Sequence, residues 1–455
     1  MKSKVVTREE ALSRIHDGQT IMFGDWHGEF AADEIIDGML EKGIKDIDAI
    51  AVSAGMADQG VGKLIKDHRV KSLITTHIGL NPIAKDQMFA GELAIEFSPQ
   101  GTFAERIRCG GAGLGGCLTP TGLGTEVEEG KQKLTIDGKE YLLELPLRAD
   151  VALIKATKAD TAGNISFRMN SRATNSTMAM AADTVIVEVE EIVEVGELGP
   201  EEIDVPAPVI DMIYERTGEK RPMCPMWQRA KAKAKDMAGL TGRKLIASRC
   251  AKFFKDGDFV NLGIGVPLMC VNYLPEGVDL WLEAEIGTVG SGPTPSWDKV
   301  DIDVIDAGGQ PASVIKGGSV YDHEMSFAFI RGGHIDAAVL GTLQVDQEGN
   351  IANWTIPGKM VPGMGGAMDL CAGVKKIIVA TDHCEKSGKS KILKKCTLPL
   401  TGVHCVTDIV TERCYFEVTK DGLVLRELAE GYSVEDILAC TEADVIVPDE
   451  IGVMS

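Results

Sequence analysis

The sequence predicts an α/β protein built from two related open-sheet domains, and three observations carry that expectation. Short apolar strands alternate with amphipathic helices along the chain. Motifs of the first half return in the second. A basic segment with two prolines, "RTGEKRPMCPMWQRAKAKAKDMAGLTGRK", separates the halves of an otherwise acidic protein.

In the first half, "TREE" (Thr7 to Glu10) is a capping box that opens a helix. The buried strand "TIMFG" (Thr20 to Gly24) comes next. The strands "IDAIAVSAG", "KSLITTHI" and "LAIEFSP" then interleave with the helices "AADEIIDGMLEK" and "GTFAERIR". "LTIDGKEYLL" reads as a hairpin turning at Asp137-Gly138. In the second half a helix runs into Asp256-Gly257 and the strand "DFVNLG", as the first helix runs into Asp17-Gly18. "KKIIVATDH" is a further strand, and "SVEDILACT" a helix capped by Ser433. Such alternation predicts mostly parallel sheets with helices on both faces.

The sharpest echo pairs Asp150, Asp160 and Gly163-Asn164-Ile165 with Asp336, Asp346 and Gly349-Asn350-Ile351, each displaced by 186 positions. A second pairs "GLGGC" (Gly113 to Cys117) with "GMGGA" (Gly363 to Ala367). The two echoes occur in opposite order in the halves, which implies related domains with local rearrangement. We place the boundary near residues 216–238: a first domain over 1–220, a basic linker over 221–238 and a second domain over 239–455. The linker reads as a solvated connection rather than a phosphate-binding patch.

Composition narrows the function classes. A net charge of -21 repels nucleic acid and anionic membranes. Eleven cysteines without a C-x-x-C pair fit reduced thiols in a cytosol better than disulfides or a zinc site. The first residues lack the apolar core of a signal peptide, no apolar run reaches membrane-span length, and a cytoplasmic location is expected. Fifty-one glycines in clusters point to tight loops approached by a ligand.

Several chemistries lack their residues. "GAGLGG" (Gly111 to Gly116) formally fits a dinucleotide fingerprint, yet it comes after a helix where the fingerprint needs a strand. No phosphate-binding G-x-x-x-x-G-K-[ST] and no G-x-S-x-G elbow occur. The eight histidines show no ligand spacing, so no metal is expected, and His334 reads as a structural hydrogen-bonder.

What remains is glutamates beside glycine-rich loops. In "DLWLEAEIGTVGSGPTP" (Asp279 to Pro295) an extended strand puts Leu280, Leu282, Ala284 and Ile286 on one face. Asp279, Trp281, Glu283 and Glu285 share the other, and the strand leads into a glycine-rich loop. Taken alone, these are ordinary acids on an exposed sheet face. Beside backbone N–H groups able to form an oxyanion hole, a carboxylate can also act as nucleophile. Its attack is productive on a carbonyl with a good leaving group, and a thiolate, with a pKa of about 8.5, is one. That chemistry points to a thioester.

Two long stretches then carry a resemblance. "ERIRCGGAGLGGCLTPTGLGTEVEEGKQKLTIDGKEYLLELPLRADVALIKATKADTAGNISF" resembles the α subunit of family I coenzyme A transferases of the acetate/acetoacetate and 3-oxoacid type. "RGGHIDAAVLGTLQVDQEGNIANWTIPGKMVPGMGGAMDL", continued by "KCTLPLTGVHCVTDIVTE", resembles the β subunit. The likeness covers nearly the whole chain, as if both subunits were fused. It implies the coenzyme A transferase and ribose-phosphate-isomerase-like fold, with the active site between the domains. Setting the family's "SENG" on "AEIG" (Ala284 to Gly287) makes Glu285 the catalytic nucleophile, with Glu283, two residues earlier, a substrate-pocket candidate whose role stays open between pocket lining and a like charge that raises the pKa of Glu285. By the same resemblance Gly365, Gly366 and Ala367 form an oxyanion hole, and Gln100, Asn261 and Gly363 contact coenzyme A.

The chain departs from the pattern in several loops. The family's "GGF…G-x-P" stands as "GDWHGEFAA", which makes Gly24, Trp26 and His27 candidates for the acyl pocket. "NAGK" is "DAGG" (Asp306 to Gly309), which lacks a lysine associated with coenzyme A, and "NFNP" is "ATNS" (Ala173 to Ser176). The resemblance implies ping-pong transfer of coenzyme A between a short-chain, 3-oxo included, acyl-CoA and a free acid such as acetate. Coenzyme A would serve as substrate and covalent intermediate, with no tightly bound cofactor, and the protein would be a homo-oligomer. An acyl-CoA hydrolase using the same glutamate is the alternative. A non-catalytic coenzyme A-ester-binding protein is a second.

Overall fold

The computed structural model describes residues 2–218 and 241–454, so the predicted basic linker lies outside the described residues. The first sheet runs in the order Met212–Glu215, Ala182–Val193, Ala149–Asp160, Thr20–Phe23, Ile47–Ala51, Val70–Thr75 and Ala94–Phe97. All these neighbours pair in parallel. The short strand Ile165–Ser166 joins antiparallel. Parallel neighbours need crossovers, and the helices supply them on both faces. Along the strand Ala149–Asp160 the two-residue period sorts the side chains. Val151 and Leu153 face a core shared with Ile35, Met39, Val61 and Leu64. Ala152, Ile154 and Ala156 face a second core with Phe103, Ile107 and Met178.

The second sheet has a parallel centre and antiparallel flanks. The parallel strands are Trp281–Ala284, Phe259–Leu262, Ala337–Leu340, Ile377–Ala380 and Val406–Val410. Thr288–Gly292 and Ser313–Val320 flank them on one side, Cys414–Thr419 and Gly422–Ala429 on the other. The helix Thr241–Ala251 covers one face, while His323–Arg331 and Ala367–Gly373 cover the other.

Most of the predicted elements are present. The capping boxes at Thr7 and Ser433 both form. The hairpin turns at Asp137-Gly138, both at positive φ as a primed turn requires. The Asp160 and Asp346 echo is one turn built twice. Each aspartate accepts backbone N–H groups from the residues after it and the side-chain amide of the asparagine four residues on.

Two expectations need correction. The strand bearing the paired glutamates ends at Ala284, and Glu285 to Gly287 form a tight turn. Beyond the turn the chain enters an antiparallel strand that pairs Thr288 with Ala284, not an open glycine loop. A side chain at Gly287 would collide with the Tyr321 carbonyl at 2.1 Å, so glycine there permits the hairpin to pack. "GLGGC" and "GMGGA" are not structural equivalents either. The first trails the end of the helix Gln100–Gly111, and the second starts the helix Ala367–Gly373.

One core crosses the domain seam, since Ala284, Ile286 and Ile305 pack with Trp26, Phe103 and Ala173. Polar contacts reinforce it. The Arg168 guanidinium pairs with Asp301 and Asp303. Asn170 donates to Thr288 Oγ1 at 3.0 Å and accepts from Ile305 N.

Candidate active site

Glu285 sits where the two domains meet. Its carboxylate has no hydrogen-bond or ion-pair partner among the described residues, and it lies directly against Gly366. A Cβ at Gly366 would fall 2.7 Å from the Glu285 carboxyl carbon and 2.7 and 2.8 Å from its two oxygens. Glycine is therefore required for this approach. Burial, then the negative charges of Glu283 and Asp369, push the Glu285 carboxyl up to about 8.

Glu283 is buried, and its two oxygens are engaged: Asn261 Nδ2 donates to one at 2.7 Å and Ser326 Oγ to the other at 2.5 Å. Burial raises it to about 7 despite those donors. Two residues on one strand and its turn thus hold carboxyl groups in opposite situations, one fixed by donors and one left unpartnered.

The glycine loop that meets Glu285 comes from further along the chain and is clamped on the first domain. Gly365 N–H donates to Thr76 O at 3.2 Å, and Gly365 O accepts from Gln100 N–H at 3.0 Å. Gly363 is at positive φ, and a Cβ there would meet Thr76 O at 2.4 Å. Pro362 O accepts from Ile78 N–H at 2.6 Å. Of the three predicted oxyanion donors, Gly365 N–H is taken by Thr76 and Ala367 N–H by Met364 O. Gly366 N–H, beside Glu285, is unengaged among the described residues.

The other predicted residues lie around this centre. Gln100 opens its helix, and its side-chain Nε2 lies 3.1 Å from His323 Nε2. Burial drives the His323 imidazole down to about 3, so it is neutral and accepts that bond. Asn261 is buried and holds Glu283. Gly24 abuts Asn175, whose Oδ1 would lie 2.1 Å from a Cβ there. Trp26 is 1 % exposed and stacks edge-on against His27 and His323, each at 5.4 Å. Its indole N–H and His27 Nε2 both reach Ala307 O, at 3.1 and 3.2 Å. The loops "GDWHGEFAA" and "DAGG", separate departures in the sequence, are thus partners across the seam.

Sequence reasoning missed His323, Ser326, Thr76, Arg331 and Asp369. Asp369 carried the only usable signal, an acid three residues after Gly366 in "GMGGAMDL". The others become neighbours only through the packing of separate elements. No group of three or more His, Cys, Asp or Glu among the described residues could hold a metal ion.

An isolated carboxylate facing a glycine loop, on paired open sheets, is an arrangement that covalent acyl transfer can use. The sequence matches the family described as "Coenzyme A transferase" over residues 5–216 and 243–439, and the chain belongs to that family as a coenzyme A transferase. It is 41% identical to mouse mitochondrial succinyl-CoA:3-ketoacid coenzyme A transferase 2A, over 98% of this chain and 90% of that protein. Half-length relatives match too. The acetate CoA-transferase β subunit of Haemophilus influenzae is 53% identical over 47% of this chain and 96% of its own length. The Escherichia coli α subunit is 49% identical over 47% of this chain and 97% of its own. The chain therefore corresponds to both subunits in one polypeptide. In fold it is similar to an acyl-CoA transferase from Escherichia coli, with a TM-score of 0.79, 21% identity and coverage of 100% of this chain and 95% of that one.

Proposed function

We propose that the protein moves coenzyme A from a short-chain acyl-CoA, 3-oxoacyl thioesters included, to a free carboxylic acid such as acetate, with Glu285 as the covalent nucleophile. The observation that carries this reading is the unpartnered Glu285 carboxylate held against Gly366 at the domain seam. A carboxylate engaged by donors, as Glu283 is, is stabilised as an anion and is a poorer nucleophile.

Ionised Glu285 attacks the thioester carbonyl, with Gly366 N–H placed to donate to the oxygen that gains charge. The C–S bond breaks, giving an acyl–glutamyl anhydride and coenzyme A thiolate. The thiolate attacks the glutamyl carbonyl, releases the donor acid and leaves a glutamyl–CoA thioester. The acceptor carboxylate reverses both steps. One thioester is consumed and one formed, so no external energy source enters. At pH 7 a carboxyl with a pKa near 8 is ionised in about a tenth of molecules. The greater basicity of that anion offsets part of its low population.

Gln100 and Gly363 are assigned to coenzyme A contact, Trp26, His27 and Gly24 to shaping the acyl pocket, and Glu283 and Asn261 to supporting Glu285. The relatives' names include succinyl-CoA, 3-ketoacids and acetate, and this supports the substrate class. We assign the division at residues 221–238, a homo-oligomeric state and a cytosolic location on the same grounds of charge, thiol content and family likeness as in the sequence.

The test is mass spectrometry after acetoacetyl-CoA, borohydride and proteolysis. A reduced glutamyl residue at Glu285, absent in Glu285→Ala, supports the mechanism. Free acid released without an acceptor, at the rate of thioester loss, identifies a hydrolase instead. Tight coenzyme A-ester binding with neither adduct nor turnover identifies a binding protein.

A further inference from the structure

Asp369 is a fully buried acid that touches both domains next to the site. It lies in the first turn of the helix Ala367–Gly373, three residues after Gly366. Its Oδ2 accepts from Gly101 N–H at 2.9 Å, and its Oδ1 from Thr121 Oγ1 at 3.2 Å, both from the first domain. Arg331 of the second domain lies 3.8 Å from Oδ1 and bonds Glu105 of the first domain at 2.7 Å through its other nitrogen. Gly101 is pressed into this node: a Cβ there would meet Arg331 Nη1 at 2.3 Å, Asp369 Oδ1 at 2.5 Å and Phe327 at 2.6 Å. No side chain other than hydrogen fits, so the close approach is built into both chain segments.

We propose that Asp369 is a positioning residue for the transfer reaction: by clamping the start of the Ala367 helix onto the start of the Gln100 helix, it fixes Gly366 against Glu285. The proposal rests on Glu285 being the nucleophile. A short helix turn connects Asp369 rigidly to Gly366, since Leu370 N–H bonds Gly366 O at 3.0 Å. The same clamp aligns Gln100, whose backbone N–H bonds Gly365 O. Losing the clamp therefore misplaces the glycine loop and the Gln100 side chain together. Misplacement on this scale is worth about a hundred-fold in rate.

Asp369 also contributes charge. The charges that act on Glu285 are those of Glu283, on the strand before its turn, and Asp369 on the opposing helix, and both raise it. Behind them stand Arg331 and Glu324 on the His323–Arg331 helix and Glu105 on the Gln100 helix. His323 on that first helix is neutral. Removing the Asp369 charge lowers the pH at which Glu285 ionises, an effect that loosened packing does not produce in a fixed direction.

The experiment compares wild type, Asp369→Asn and Thr121→Val in steady-state transfer and in borohydride trapping across pH. Asp369→Asn is expected to lower kcat about a hundred-fold with little change in KM, and to move the acidic limb of the pH profile to lower pH. Thr121→Val keeps charge and volume but removes one donor, and is expected to lower kcat several-fold with the KM values unchanged. It decides the matter if Asp369→Asn does not fold. Wild-type kcat and an unmoved acidic limb in Asp369→Asn, or wild-type kcat in Thr121→Val where only it folds, would overturn the proposal. Absence of the Glu285 adduct in wild type is a different failure: it removes the nucleophile reading, and the positioning role falls with it.

Discussion

Gly366 and Glu285 touch: the Gly366 Cα carries no side-chain carbon, and a Cβ placed there would overlap the Glu285 carboxylate at 2.7 Å. The first residue comes from the loop before a helix and the second from the turn after a strand, some eighty positions apart. Their contact is the structural core of the proposed reaction. Gly366→Ala is expected to keep the fold and lose activity by about a hundred-fold or more, because the methyl group pushes the carboxylate from its position. The check is kcat beside an unchanged circular dichroism spectrum. Activity near wild type in this variant would show that the contact is not used.

The raised Glu285 pKa makes a stability prediction with a definite sign. In the unfolded chain this carboxyl ionises near 4.5, and in the folded protein near 8. Between these values the native state binds the extra proton, so stability falls as pH rises through that window. Glu283, at about 7, and Asp369, at about 6, act in the same direction. Glu285→Gln, which cannot ionise, is expected to melt at a higher temperature than wild type at pH 8.5 and at nearly the same temperature at pH 4.5. Equal differences at both pH values would contradict the half-buried, unpartnered state.

Asn261 offers a way to separate two roles. Its amide is bonded to Glu283 at 2.7 Å and is buried. Asn261→Leu removes a donor from a buried carboxylate, which is worth about 1 to 3 kcal/mol in stability. Glu283 then takes up a proton more readily, and the pH dependence of kcat changes. A direct contact to coenzyme A predicts instead a raised KM for the thioester with stability intact. Thermal melting together with KM distinguishes them.

Trp26 stands at the seam, with its indole N–H on Ala307 O. Trp26→Phe keeps an aromatic ring and loses that bond, and about 1 kcal/mol of stability is expected to go with it. Trp26→Ala opens a cavity and is expected to lose about 3 to 5 kcal/mol. If Trp26 also limits the acyl pocket, the Phe variant shifts the ratio of kcat/KM between butyryl-CoA and acetoacetyl-CoA. Denaturant melts and paired kinetics on both thioesters read the two effects separately.

Much of the fold is legible in the chain. The strands and helices of both sheets come from apolar period, capping residues and Asp-Gly turns, because these are local preferences written within a few neighbouring residues. The Asp160 and Asp346 turns are visible as a spaced motif for the same reason. Alternation overstates the strand that carries Glu283. It does not reveal that the chain turns back at Glu285, where the decisive contact is between Gly287 and the distant Tyr321 carbonyl. The likeness between "GLGGC" and "GMGGA" misleads, since glycine composition records freedom of the backbone and not what approaches it.

By itself, then, the sequence determined the α/β elements, the two-part plan and Glu285 as the acid to watch. Propensity and spacing are properties of short stretches, and the family likeness rests on motifs of the same kind. Only the tertiary structure decided which carboxylate is held and which is left free. Asn261 and Ser326 arrive at Glu283 from two other elements, while Gly366 brings no side chain to Glu285. That difference in environment, with burial and the added charge of Asp369, makes two glutamates two positions apart chemically unlike.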